Sequence, residues 1–366
     1  MIALGKMPRF NTIGYAERVN LLKALRTDLS GYLGGFPGAG YWCTKLEEDW
    51  KEAFGVKYAI PCNSATSGLL AACMAAGIGA GDVVWTTPTS MSATAACATI
   101  LGAKVEFIDI ETIRYGMNLS NFRRPHPKAI IVANIFGHPA FLSAMRAYCD
   151  SCGIVMIEDN AQSPFAKENS KYAGTVGHMG VFSLNVHKHI QCGEGGVCVS
   201  NDASYAEAIR GAINHGELGR SICGLNLRMS EPIAAIACAQ LKKAPWIISG
   251  RIALAEEITD MFSGIPWITP PRADVDCTHV YYLWVARVDP QKRGKFGLAL
   301  RDAGAPFNEG YCRPLNLLFE GGDCSVAERM HYQEFLSFEI CYYNPRSQQL
   351  KKMRRIIKEA ANAFAA

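Results

Sequence analysis

The sequence predicts an α/β fold: a large unit built on a mostly parallel sheet and a smaller C-terminal α+β unit beside it. Three observations carry this. Short apolar runs rich in β-branched residues alternate with helical patterns through the first two hundred residues. After residue 226 the texture changes to one long helical pattern and then a Pro-rich break. At 366 residues the chain is too long for one small core and short for three domains.

The predicted strands are 57–62, 83–87, 104–109, 129–134, 153–158, 181–184 and 196–200. Stretches 67–77, 91–101 and 139–151 between them are Ala-rich or amphipathic and read as helices covering both faces of the sheet. Residues 231–261 read as a single helical pattern, long enough to bridge two domains, with a break expected near Pro245. The Pro-rich stretch 266–272 ends it, and 279–288 alternates like a strand. Residues 347–366 form a basic amphipathic pattern, expected to be a docked terminal helix. The division expected from this is a large domain over 1–245 and a small one over 246–366. Tandem repeats and low-complexity segments are absent from the sequence.

Hydrophobic residues make up 49% of the chain and charged residues 19%, a balance that can fill a core and excludes a disordered chain. The net charge of +4 suits a phosphorylated ligand, and with no basic block it does not point to nucleic acid. The N-terminus lacks an apolar run of signal-peptide length and no internal run could span a bilayer, so the expectation is a soluble, cytoplasmic protein without membrane partners. The 14 cysteines are scattered, many within apolar runs, which reads as reduced, buried small hydrophobes. Cys149 and Cys152 form a lone CxxC at an expected helix end. Without a second pair it reads as structural rather than as a zinc or redox site, and no metal is expected.

Four segments carry candidate chemistry. Asn63-Ser64-Ala65-Thr66-Ser67-Gly68 follows the 57–62 strand and opens a helix, where free N–H groups and the helix dipole suit a phosphate; an ordinary Ser N-cap gives the same pattern. Ile157-Glu158-Asp159-Asn160-Ala161-Gln162 ends an apolar strand, and ligands of parallel sheets sit at the carboxyl ends of strands. A carboxylate there can keep a pyridine nitrogen protonated, or merely cap a loop. Phe182-Ser183-Leu184-Asn185-Val186-His187-Lys188, followed by Gly193-Glu194-Gly195-Gly196, places a lysine between two histidines before a Gly-rich turn. A lysine becomes nucleophilic when desolvated or near other cations. His187 and His189, in alternate positions around a lysine, make a poor metal pair. Gly224-Leu225-Asn226-Leu227-Arg228-Met229-Ser230-Glu231 leads into the long helix, with Ser230 as its expected N-cap.

With these segments in this order the chain resembles the DegT/DnrJ/EryC1/StrS family of sugar aminotransferases, from about Arg18 to the C-terminus. The resemblance rests on Glu158-Asp159-x-Ala161-Gln162, on Phe182-Ser183-x-Asn185-x-x-Lys188 with Gly193-Glu194-Gly195-Gly196, and on Asn226-x-Arg228-Met229-Ser230-Glu231. Weaker matches are Phe136-Gly137-His138-Pro139, Gly174-Thr175-Val176-Gly177 and Asn214-His215-Gly216. It implies the aspartate-aminotransferase fold (fold type I) and pyridoxal 5′-phosphate as cofactor, with Lys188 as its Schiff-base lysine. It implies that Asp159 pairs with the pyridine nitrogen, that Gln162 contacts the ring hydroxyl, and that Ala65, Thr66 and Ser183 hold the phosphate. Asn226 would reach the phosphate of a neighbouring subunit in a homodimer with shared active sites. The reaction implied is ping-pong transfer of an amino group from glutamate or glutamine to a keto-sugar, nucleotide-linked or a related cyclitol ketone.

Some family members carry His in place of the lysine and act as sugar dehydratases. Counting forward from Ser183 and back from Gly193 both put Lys188 at the Schiff-base position, which favours transamination. A catalytically silent, cofactor-binding regulator is a further alternative, and the sequence shows no DNA-binding appendage for one. The chain departs from the family in three places. Met91 stands where an aromatic or His usually covers the cofactor ring. Ala65 stands where a Gly often precedes the phosphate-loop Thr. Asn308-Glu309-Gly310-Tyr311-Cys312-Arg313-Pro314-Leu315 replaces a His-Tyr-Pro element and looks more like members that act on free cyclitol-type ketones. Glu158, Asn160, His215, Arg228, Tyr311 and Arg313 are the candidate substrate contacts.

Overall fold

The computed structural model describes residues 4, 7–29, 39–217 and 223–364. Helices α1 (Tyr15–Ala24) and α2 (Tyr41–Phe54) precede strand β1 (Tyr58–Cys62). Strand and helix then alternate: α3 (Ala65–Ala75), β2 (Val83–Thr86), α4 (Ala93–Ile100), β3 (Lys104–Phe107), β4 (Ala129–Ala133), α5 (Leu142–Cys152) and β5 (Val155–Asp159). A short hairpin, β6 (Lys167–Glu168) and β7 (Lys171–Tyr172), leads to β8 (Met179–Ser183), β9 (Gly196–Ser200) and α6 (Ala203–Ile213). The long α7 (Glu231–Met261) follows, then β10 (Ile268–Thr269), β11 (Cys277–Thr278), β12 (Trp284–Val288), α8 (Pro290–Asp302) and β13 (Phe307–Glu309). Two short helices, α9 (Leu315–Leu318) and α10 (Ser325–Arg329), β14 (Phe335–Phe338) and α11 (Ser347–Asn362) complete the chain.

The main sheet has the order β1-β9-β8-β5-β4-β2-β3, and β9 alone runs against its neighbours. Its strands are buried on both faces, and their period of two sends alternate residues to opposite sides. In β4, Ile130 and Val132 pack with α2, α5 and the first half of α7, whereas Ala129 and Ile131 pack with α3, α4 and α6. That two-sided burial is why the predicted strands read as continuous apolar runs. The helix α3 lies close on the sheet because Gly68 has no side chain: a Cβ there would sit 2.8 Å from Val181 and 2.9 Å from Cys198.

A second, antiparallel sheet has the order β10-β12-β14-β13 and shares a separate core with the end of α7, α8 and α11. The helix α7 joins the two cores: Leu241, Ala244 and Ile248 lie in the first and Ala255, Ile258 and Met261 in the second. The break expected near Pro245 is not there; α7 is continuous with Pro245 inside it. Pro245 and Trp246 face outward while Ala244, Ile247, Ile248 and Leu241, whose carbonyl loses its partner to the proline, are buried, so packing holds the helix through it. The strand expected over 279–288 is also shorter. Its first half is irregular, with Tyr281 at a φ of 49°, and β12 begins only at Trp284. That half is a loop in which His279, Val280, Tyr281 and Leu283 are all buried, with Val280 N–H bonded to Gly137 O at 2.8 Å. Helix α5 ends in Gly153 at a φ of 66°, the left-handed cap that turns the chain into β5. Cys149 is buried at that end, and burial pushes its thiol up to about 12, which makes it inert. Among the described residues there is no grouping of three or more His, Cys, Asp or Glu that could hold a metal, and no helix is long and apolar enough to cross a membrane.

Candidate active site

A cavity of about 760 Å³ opens at the carboxyl ends of β1, β5 and β8, where an α/β sheet places its ligands. Each of these strands delivers one functional group to it. After β1, Ser64 caps α3: its hydroxyl accepts from Ser67 N–H at 3.1 Å, which leaves the Ala65 and Thr66 N–H groups at the helix start without a partner among the described residues. Both residues line the cavity, as does Ser183 at the end of β8. Gly196 is needed behind this loop, since a Cβ there would lie 2.7 Å from the Ala65 nitrogen. Two unpaired N–H groups, a helix dipole and a hydroxyl make a phosphate cradle.

Asp159 ends β5. Its carboxylate is buried, accepts from Thr94 Oγ1 at 2.7 Å and from Ala161 N–H at 3.2 Å, and has no cationic partner in contact among the described residues. Thr94 is itself bonded to Ser90 at 2.7 Å, so a short hydroxyl chain fixes the carboxylate. Burial pushes the Asp159 carboxyl up, against the opposing pull of the Thr94 hydrogen bond. A buried carboxylate in that condition is stabilised by a cation brought to it, and a protonated pyridine nitrogen is one.

Lys188 lies in the loop after β8. Its backbone is held by Asn185 O, 2.9 Å from its N–H, and its carbonyl accepts from Arg251 at 3.1 Å. Its Nζ sits 4.1 Å from the centre of the Tyr282 ring. Burial pulls the amine down to about 8, with Asp159 pulling it back up, so a neutral, nucleophilic fraction exists near neutral pH. Cradle, buried carboxylate and desolvated lysine share one cavity, and together they fit a phosphorylated pyridine aldehyde.

Gln162 lines the same wall. Its Oε1 accepts from Phe136 N–H at 2.8 Å and its Nε2 donates to Tyr311 Oη at 2.6 Å, so Tyr311 and Gln162 form one unit. Met91 also lines the cavity and is half exposed. Other expected contacts lie elsewhere. Glu158 and Asn160 are fully buried inside the fold. The Glu158 carboxylate accepts from the N–H groups of Gly174, Val176 and Gly177 and from Asn134, and the Asn160 amide bonds Asn134, Ser163 O and Ala173 O. Both hold the 160–177 segment against β5, which corrects their reading as substrate contacts. The reason is the strand period: Asp159 faces the cavity and its neighbours on either side do not. His215, Arg228, Arg313 and Asn226 also lie off this chain's cavity. Arg228 donates to Asn214 at 2.5 Å, Arg313 to Leu317 O at 3.2 Å, and Asn226 pairs with Asn214.

Sequence reasoning missed Thr94, Tyr282 and Arg251. A threonine inside an Ala-rich helix and a tyrosine in an irregular loop carry no local signal. Arg251 is one charged residue in a long helical pattern, and only its burial distinguishes it.

The sequence model of the DegT/DnrJ/EryC1/StrS aminotransferase family matches residues 34–333. The chain is 32% identical over 283 residues to the UDP-2-acetamido-2-deoxy-3-oxo-D-glucuronate aminotransferase of Pseudomonas aeruginosa, covering 75% of this chain and 77% of that protein. Its fold is similar to that of an aminotransferase from Psychrobacter cryohalolentis, with a TM-score of 0.89 and 23% identity over 98% of this chain and 99% of that one. It is also similar to the aminotransferase TlmJ from Streptoalloteichus hindustanus, with a TM-score of 0.87 and 24% identity over 99% and 100% of the two chains.

Proposed function

The chain belongs to the DegT/DnrJ/EryC1/StrS aminotransferase family, whose cofactor is pyridoxal 5′-phosphate, and from that premise we propose that it transfers an amino group from glutamate or glutamine to a keto-sugar, nucleotide-linked or a related cyclitol ketone. The observation that carries the reading is Lys188, a desolvated amine in one cavity with the Asp159 carboxylate and the α3 phosphate cradle. The relative in Pseudomonas aeruginosa is described as acting on a UDP-linked 3-oxo sugar, which supports a nucleotide-linked acceptor.

Pyridoxal 5′-phosphate supplies a carbonyl that carries the amino group and a ring that takes up the electrons left when the donor's α-proton departs. The residues do the rest. Ala65 and Thr66 N–H groups and the Ser183 hydroxyl bind the phosphate. Asp159, held by Thr94, keeps the ring nitrogen protonated, and Gln162 with Tyr311 borders the ring's other edge. Lys188 Nζ is the covalent anchor at rest. The same nitrogen, when free, would take the donor's α-proton and later return one to the product, as general base and acid. Met91, on the cavity wall, would cover the cofactor ring, where sulfur against a ring is a favourable contact.

A homodimer belongs to this reading. Asn226 does not line its own cavity and is free to reach a neighbour's phosphate. Tyr15, Leu22, Tyr41 and Trp246 leave apolar surface exposed that a second copy would cover. Residues 1–245 and 246–366 are the large and small domains of the reading, supported by two sheets with separate cores, and a cytoplasmic location goes with it. A dehydratase of the same family would release a dehydrated sugar in place of an aminated one and needs no anchoring lysine. The test is steady-state kinetics with glutamine or glutamate and a panel of keto-sugars and cyclitol ketones, following both the 2-oxo acid and the aminated product. Parallel double-reciprocal lines and equal amounts of both products are expected. Dehydrated product with no aminated sugar overturns the reading.

A further inference from the structure

Arg251 sits in α7, 3% exposed, with no carboxylate in contact among the described residues. One of its terminal nitrogens donates to the Lys188 carbonyl at 3.1 Å, while Nε and the other terminal nitrogen have no partner there. The Phe10 ring lies 5.4 Å from the guanidinium carbon. Burying an unpaired guanidinium opposes folding, because its hydration is lost without a counter-ion. Such a group persists where its charge and donors serve something else, and among the described residues its one hydrogen bond goes to the residue that carries the chemistry.

We infer, on the aminotransferase reading above, that Arg251 is a positioning residue for Lys188: one nitrogen fixes the lysine's carbonyl, and its unpaired charge keeps a second positive charge from settling on the neighbouring amine. A fixed cation beside a lysine amine is one of the general ways such an amine is made nucleophilic. The groups around Lys188 are consistent with that division. Asp159 favours the charged amine, Arg251 opposes it, and the thiols of Cys341 and Cys312 lie nearby. Burial pushes the Cys341 thiol up to about 12 and the Tyr282 phenol higher still, so both are neutral. The flanking His187 and His189 are pulled down by burial, so they are neutral near pH 7 and add no charge. Burial pulls the Arg251 guanidinium down to about 10, which leaves it charged at neutral pH. Among the groups around the amine, Arg251 is therefore the standing positive charge.

The experiment compares wild type, Arg251→Lys and Arg251→Met. The apoprotein is treated with a small amine-acylating reagent at a series of pH values, and modification of Lys188 is read by peptide mass. The rate at which the holoprotein's cofactor absorbance is converted by glutamine or glutamate is measured beside it. In Arg251→Met the labelling midpoint of Lys188 moves up by about one pH unit or more, a tenfold loss of free amine at fixed pH, and conversion slows at neutral pH. Arg251→Lys keeps the midpoint near that of wild type but slows conversion, because the charge remains and the bond to the carbonyl does not. A wild-type midpoint in Arg251→Met overturns the inference. If that variant does not fold, wild-type conversion by Arg251→Lys overturns it. Wild-type protein that converts with neither donor at any pH, while Lys188 still labels with a low midpoint, counts against the aminotransferase reading and takes this inference down with it.

Discussion

Replacing Glu158 tests whether a carboxylate in the signature segment supports the fold or touches a ligand. Its two oxygens accept four hydrogen bonds: from Val176 N–H at 2.8 Å and Gly177 N–H at 2.5 Å on one, and from Gly174 N–H at 2.6 Å and Asn134 at 3.0 Å on the other. Glu158→Ala leaves the three backbone N–H groups without an acceptor and takes from the Asn134 amide nitrogen one of its two bonds, the one to Asn160 remaining. Val176 and Gly177 are half-buried and water can reach them, whereas Gly174 and Asn134 are enclosed. Two enclosed donors at roughly 1–3 kcal/mol each give a loss of about 2–6 kcal/mol. Burial pushes the Glu158 carboxyl up, so removing the charge returns part of its desolvation cost and the lower half of that range is expected. Glu158→Gln, which keeps one of the two acceptor oxygens, should lose about half as much. Urea unfolding of the apoprotein measures this: a loss of about 3 kcal/mol lowers the midpoint by about 1 M at a slope of about 3 kcal/mol/M. The KM for donor and acceptor should stay within about twofold in the folded variant. An unchanged midpoint with a raised KM would refute the reasoning and return Glu158 to the substrate site.

Other perturbations have similarly specific outcomes. Asp159→Asn removes the charge that holds the ring nitrogen protonated and should slow conversion of the cofactor by the donor about 10²–10³-fold or more, measured by stopped-flow absorbance; a loss under about threefold would mean that Asp159 does not face the ring. Because burial holds the Lys188 amine near 8 and only the neutral amine is nucleophilic, capture of pyridoxal phosphate by the apoprotein should rise with pH through about 8, and a midpoint above 10, where free lysines titrate, would contradict the buried placement. Arg114 is buried between Glu168 and Asp274 and bonds both. Arg114→Ala strands the Glu168 carboxylate and should cost about 3–5 kcal/mol in urea unfolding without altering the cavity's chemistry.

The strands of the large sheet were legible because burial on both faces turns each into an unbroken apolar run, and β1, β2, β4 and β9 fall within two residues of the expected spans. Two boundaries were not. Pro245 signalled a break by removing a backbone donor, and the signal was local, while the packing of Leu241, Ala244 and Ile248 that carries α7 through it is tertiary. The alternation over 279–283 looked like a strand in the sequence, but the segment is a loop that buries His279, Val280 and Tyr281 in succession. The same contrast holds at the site. Ala65, Thr66, Asp159, Ser183 and Lys188 line one cavity because they sit at or just beyond strand ends in short motifs, and the strand ends converge. Glu158 and Asn160 were misread because a motif marks a segment, and the period of two decides which residue in it faces the cavity. Tyr282 and Arg251 approach Lys188 only through the tertiary fold, 63 residues separating Arg251 from its partner.

The central claim is that Lys188 is the anchor of the cofactor. The most direct measurement is borohydride reduction of the holoprotein followed by peptide mass analysis, on wild type and Lys188→Ala. The account predicts one pyridoxyl phosphate adduct per chain, on the peptide that contains Lys188, and none in the variant. An adduct on another lysine, or one that persists unchanged in Lys188→Ala, would contradict it.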